Sequence, residues 1–313
     1  MPYLGEIASL ATALCWLGSS LAFAVAGREV GAQPVSQFRL YAALPILFAL
    51  GLCLTGKGWP TEASLERLSL IGLSGLLGLV IGDYGFFHAL ATIGPRLASV
   101  IMSLWPACTV AINFLRGEPP TDMQMTGITV TILGVAIVLA GKRESAWCPE
   151  LTRKQWVGGC VGALIGATGQ ASGFVIARVA MAESTNSEAA IDPILTTIVR
   201  MSAATIGMQI IATLQRRSFA MTKVMHHRKA LVATLIGVMC GPVLGVWLSM
   251  VGASKSHNDG VASALMATTP VFMLPVSIWL YKARVGMIAV VGTLLAVAGV
   301  AICFIWGTQT LGN

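Results

Sequence analysis

GDYGFFHALATIGPRLASVIMSLWPACTVAINFLRGEPPTDMQMTGITVTILGVAIVLAGK, residues 82–142, decides the fold. It holds the end of one apolar run and two complete ones, Arg96–Leu115 and Met123–Gly141, with short polar turns between them. At a rise of about 1.5 Å per residue, each complete run can cross a hydrocarbon core of roughly 30 Å as a helix. Pro106 stands in the middle of the first. It removes a backbone hydrogen bond there, which marks a kink or half-break within a span.

The same design returns toward the C-terminus. Ala98, Ser99, Met102 and Pro106 recur as Ala262, Ser263, Met266 and Pro270, all 164 positions on. Gly78 and Gly82 recur as Gly241 and Gly245, Arg39 as Arg200, and Gly134-Val135-Ala136 as Gly299-Val300-Ala301. An ordered series at nearly constant offset marks an internal duplication. Together with Gly82-Asp83-Tyr84, Phe87, Ala89-Leu90, Ile93-Gly94 and Gly117-Glu118, these residues resemble the first repeat of an EamA-type carrier of the drug/metabolite transporter superfamily. The second repeat departs from that pattern, carrying Tyr281-Lys282 in place of Gly-Glu. The resemblance implies a secondary transporter exporting amino acids, related metabolites or xenobiotics, with protons as a candidate counter-ion.

Composition agrees with a membrane protein. Of 313 residues, 56% are hydrophobic and only 11% charged, too few to cover a soluble protein of this size. The expected fold is an all-α integral membrane protein of ten transmembrane helices in two inverted five-helix repeats. The spans fall near residues 5–27, 34–55, 68–90, 96–115, 123–141, 156–180, 193–214, 230–254, 260–280 and 285–306. Residues 1–142 form the first repeat, 143–155 a linker and 156–313 the second. Five spans per repeat is an odd number, so the copies oppose each other, as in many carriers with a substrate path between the halves. The first run is too long for a cleaved signal core, and no cation precedes it.

The net charge of +7 sits in turns between spans, so it speaks of orientation and not of nucleic acid. Thirteen lysines and arginines follow odd-numbered spans, against five (Lys57, Arg67, Arg116, Arg178 and Lys255) after even-numbered ones. That count puts both termini outside the cytoplasm, opposite to the arrangement common in the resembled family. The expected location is the inner (plasma) membrane, multi-pass, as a monomer or homodimer in contact with lipid and a small-molecule substrate. The seven cysteines form no metal spacing, and neither cofactor nor metal is expected.

Several residues stand out within the spans. Ser99, Ser103, Pro106 and Asn113 follow steps of four, three and seven along one helical face, repeated by Ser263, Ala267, Pro270 and Ser277. Such a face points to protein or to a watery cavity. Asp83 lies deep in span three, where an ionised carboxylate must be protonated, paired or exposed to water. Its candidate roles are proton coupling and contact with a substrate amine. His88 follows nearer the membrane edge. Arg39 and Arg200 either snorkel to headgroups or serve an anionic substrate or Asp83. Trp16, Trp105 and Trp247 sit inside spans as core or cavity wall, and Gln170 is a further cavity candidate. Glycines four apart, such as Gly158, Gly162 and Gly166, allow close helix contact.

A membrane-embedded enzyme or a signalling receptor is the alternative class. Gly72-Leu73-Ser74-Gly75 reads like the serine motif of rhomboid-type proteases, but a nucleophile needs a histidine within reach. His88, fourteen residues along the same helix, is about 21 Å away. No phosphate-binding lysine loop is present, so the chain itself does not read as an ATP-driven pump.

Overall fold

The computed structural model describes residues 3–117, 119–140, 151–182, 189–255, 265–281 and 286–303. Among them the protein is all helical. The first half comprises α1 (Leu4–Val30), α2 (Ala32–Thr55), α3 (Leu65–Gly75), a π-helical stretch (Leu76–Gly82), α4 (Asp83–Thr92), α5 (Pro95–Met102), α6 (Trp105–Leu115) and α7 (Asp122–Ala140). The second comprises α8 (Arg153–Met181), α9 (Pro193–Leu214), a short α10 (Thr222–His226), α11 (Arg228–Val238), a second π-helical stretch (Met239–Gly245), α12 (Val246–Lys255), α13 (Thr269–Tyr281) and α14 (Met287–Ala301).

Eight helical stretches among the described residues are long and apolar enough to cross a membrane. They coincide with the first eight expected spans. Where the ninth and tenth are expected, α13 has 13 described residues and α14 has 15. The two halves start their helices with different local devices. Gly31 and Gly94 take φ of 93° and 85°, values disfavoured for a side-chain-bearing residue, and so turn the chain sharply into α2 and α5. Thr152 and Gln155 close a reciprocal capping box at the start of α8, and Asp192 caps α9 through the Ile194 N–H.

Packing between the halves exchanges in pairs. The α3–α4 rod lies on α8 while the α11–α12 rod lies on α1; α2 meets α9, and α7 meets α14. α5 and α6 touch α8, as α13 touches α1. Each contact maps onto its counterpart when the halves are swapped, the mark of a pseudo-twofold relation. The α7–α14 seam shows it atom by atom. A Cβ on Gly134 would stand 2.6 Å from the Gly292 carbonyl oxygen, and one on Gly299 would stand 2.6 Å from that of Gly127. Helix backbones touch directly here, which is how helices associate where water supplies no hydrophobic drive between them.

Cations tie helix ends in related places. Arg67 is buried and donates to the carbonyls of Ala180 (2.9 Å), Met181 (3.2 Å) and Ala182 (2.7 Å), which a helix C-terminus otherwise leaves open. Lys229, 162 positions on, instead binds Glu29 near the end of α1, at 2.6 Å.

Candidate functional site

The two π-helical stretches stand at equivalent places in the repeats, 163 positions apart. In the first, the Asp83 N–H donates to the Gly78 carbonyl five residues back, not to that of Leu79 four back. The Leu79 carbonyl is thereby available to an outside donor. Arg39 Nη2 takes it at 2.7 Å and also meets Asp83 Oδ2 at 2.7 Å. The guanidinium carbon lies 4.7 Å from the centre of the Phe87 ring, within cation–π range. One arginine therefore holds a carboxylate, a freed carbonyl and an aromatic face. π-bulges inside α-helices are frequent at functional positions.

In the second half the Val246 N–H likewise reaches back five residues, to the Gly241 carbonyl. The chemistry around Arg200 is different. The positions equivalent to Leu79, Asp83 and Phe87 are Pro242, Val246 and Met250. Arg200 Nη1 donates to the Met250 thioether at 3.4 Å, a weak acceptor, while Nε is buried without a hydrogen-bond partner, as is that of Arg39. Arg200 forms no salt bridge among the described residues.

A cavity opens between these elements, with about 100 Å³ available to the centres of water-sized molecules. Repeat-equivalent pairs from both halves line it: Leu79 with Pro242, Asp83 with Val246, and Phe86 with Ser249 at an offset of 163. Met102 with Met266, Ser103 with Ala267, and Trp105 with Thr269 follow at 164, and Arg39 with Arg200 at 161. The cavity thus lies on the pseudo-twofold relation. Among the described residues its charged lining consists of two arginines, each 2% exposed, and one carboxylate, 20% exposed.

Of the residues singled out from sequence, Trp16, Arg39, Asp83, Ser99, Ser103, Trp105, Gln170, Arg200, Ala267 and Pro270 line this cavity. The snorkelling alternative for Arg39 and Arg200 gives way to full burial. Ser99 Oγ is buried without a hydrogen-bond partner, and Trp105 stacks edge-on against Phe174 with centroids 5.5 Å apart. Trp16 rests on the second π-helical stretch, where a Cβ on Gly245 would lie 2.9 Å from its Cδ1.

Four candidates do not line it. His88 is exposed beside α8 and faces a separate depression with Tyr84 and Arg217. Trp247 packs against the apolar core. Pro106 and Asn113 fall off the stripe because the helix breaks at Ser103-Leu104, ahead of the proline, which then fits the first turn of α6. Carrying one period across that break put them on the wrong face. Ser263 lies outside the described residues. The serine motif is structural: Ser74 is buried and donates to the Ile71 carbonyl at 2.6 Å, while a Cβ on Gly75 would overlap the Arg200 carbonyl group.

Sequence reasoning missed Ser19, Ser20 and Phe23 on α1, and Pro242 and Ser249 in the second half. Val246 and Thr269, also missed, were reachable, since the repeat offset maps them onto Asp83 and Trp105.

The pattern of the EamA-like transporter family matches residues 3–140 and again 157–305. The chain belongs to the EamA-like transporter family. The EamA-like repeats thus cover both helical halves that enclose the cavity, and the protein is a multi-pass membrane protein of transporter type. A protein known from its crystal structure aligns over 100% of both chains with a TM-score of 0.67 and 16% identity, a likeness of fold alone. No curated protein matches the sequence significantly.

Proposed function

We propose that this EamA-like protein is a secondary active transporter that moves a small metabolite, amino acid or xenobiotic outward across the inner membrane by alternating access. Residues 1–142 and 156–313 are its two inverted five-helix halves, joined by 143–155, and both termini are extracytoplasmic. The observation that carries this reading is the cavity lined by repeat-equivalent pairs. A binding site on the relation between two exchangeable halves can be opened to either side by rocking one half against the other. Close backbone seams such as Gly134–Gly292 suit helices that move as rigid units. Asp83, the one carboxylate among the described residues at the cavity, is the candidate proton-coupling group.

The test is vectorial flux. Proteoliposomes containing only this protein are loaded with a defined mixture of amino acids, carboxylates and neutral metabolites, and the outside medium is followed by mass spectrometry. A transporter releases a subset of the mixture unchanged, faster than empty liposomes. New masses without vectorial movement would favour a membrane enzyme, and binding without movement a receptor.

A further inference from the structure

We infer that the substrate is a small monoanionic carboxylate, seated on Arg200 beside Val246. The inference deepens the transporter reading and rests on it. It starts from the difference between the repeats. Arg39 has its terminal nitrogen held within the protein by Asp83 and the Leu79 carbonyl, although its Nε, like that of Arg200, has no hydrogen-bond partner. Arg200 is its repeat partner, equally buried and also on the cavity wall, yet it meets a valine where Arg39 meets an aspartate. Its single hydrogen bond among the described residues goes to a thioether.

Arg200 feels Asp83 across the cavity, but that carboxylate is in direct contact with Arg39, and a buried guanidinium that only shares a counter-charge is stabilised further when an anion arrives. Among the described residues the cavity lining carries two cations and one carboxylate, a net charge of +1, so one negative charge neutralises it and two overshoot. The planar fork of an arginine fits a carboxylate with two parallel hydrogen bonds. Gln170 and Ser99, which make no side-chain hydrogen bond among the described residues, can take further polar atoms of the ligand. Around them the wall is aromatic, with Trp16, Phe86 and Trp105 suited to an apolar body.

The test uses benzoate and benzamide, which share shape but not charge, in calorimetric titrations of the purified full-length protein in detergent at neutral pH and fixed chloride. Benzoate is expected to bind about tenfold or more tightly than benzamide. Arg200→Gln removes that preference. Val246→Asp supplies an internal carboxylate at the vacant place, so benzoate binding is lost while the unfolding midpoint rises. The second variant keeps the inference testable should the first not fold. Equal binding of the two probes, binding of neither, or a preference that survives both substitutions overturns it. So does tighter binding of the dianion phthalate than of benzoate. None of these results touches the transporter reading, because two-sided access to the cavity does not depend on substrate charge.

Discussion

The two buried arginines should respond in opposite ways to the same substitution. Arg39→Met removes the partner of Asp83 and the donor to Leu79, both at 2.7 Å. Breaking a buried pair by deleting one member costs about 3–5 kcal/mol when the survivor stays charged. Asp83 can take up a proton and retains 20% exposure to the cavity, which trims that cost. An orphaned carbonyl adds about 1–3 kcal/mol if water cannot reach it. A net loss of about 2–4 kcal/mol follows for Arg39→Met. Arg200→Met deletes a cation that has no salt bridge among the described residues, and leaves a side chain matched to its neighbour Met250. Its stability should be unchanged or higher. Unfolding midpoints in one detergent and at one scan rate provide the comparison, because membrane proteins unfold irreversibly and only matched scans are comparable. The Arg39→Met/Asp83→Leu double variant should recover part of the loss, since it removes the stranded carboxyl. Equal destabilisation by both single variants would refute the claimed inequality between the two sites.

Three other outcomes follow from the same geometry. Gly75→Ala places a methyl against the Arg200 carbonyl group, so it should cost about 1–3 kcal/mol and weaken benzoate selectivity, read by thermal unfolding and titration. Asp83→Asn keeps a hydrogen-bond acceptor for Arg39 but cannot exchange a proton; uptake driven by a pH gradient should vanish while exchange of labelled for unlabelled substrate persists. Continued accumulation driven by a pH difference alone would remove Asp83 from the coupling role. A reporter fused after Asn313 should behave as extracytoplasmic and one within residues 216–229 as cytoplasmic, with the reverse pattern contradicting the charge count.

That charge count also shows what sequence can and cannot say. Arg67 and Arg96 entered it as loop cations on opposite sides, yet both are buried in helices, Arg67 on the carbonyls that end α8. Removing one from each side leaves the bias intact. The duplication was legible because residue types recur at fixed offsets, and it gave the cavity's position through Arg39/Arg200 and Ser103/Ala267. Backbone state was not. A π-helical stretch has no composition of its own, and its only trace was the recurrence of Gly78 and Gly82 as Gly241 and Gly245. Hydropathy places Arg39 and Arg200 inside spans but cannot say whether a guanidinium reaches headgroups or protein, since that depends on which helix lies opposite. Asn113 was placed on the stripe for a related reason, while Trp247 takes the core alternative of the two the sequence left open. Periodicity fixes a face only while the helix continues, and an aromatic inside a span serves core and cavity alike.

The central claim is that one cavity opens alternately to the two sides of the membrane. The most direct measurement places a single cysteine at Ala267, on the cavity wall and 4% exposed, in a chain whose native cysteines are replaced. The variant is reconstituted in a single orientation and treated with a membrane-impermeant thiol reagent from each side in turn. Alternating access predicts labelling from both sides, with Ser103→Cys behaving alike and lipid-facing Ile206→Cys remaining inert. Labelling from one side only, or from neither under conditions that support flux, would contradict it.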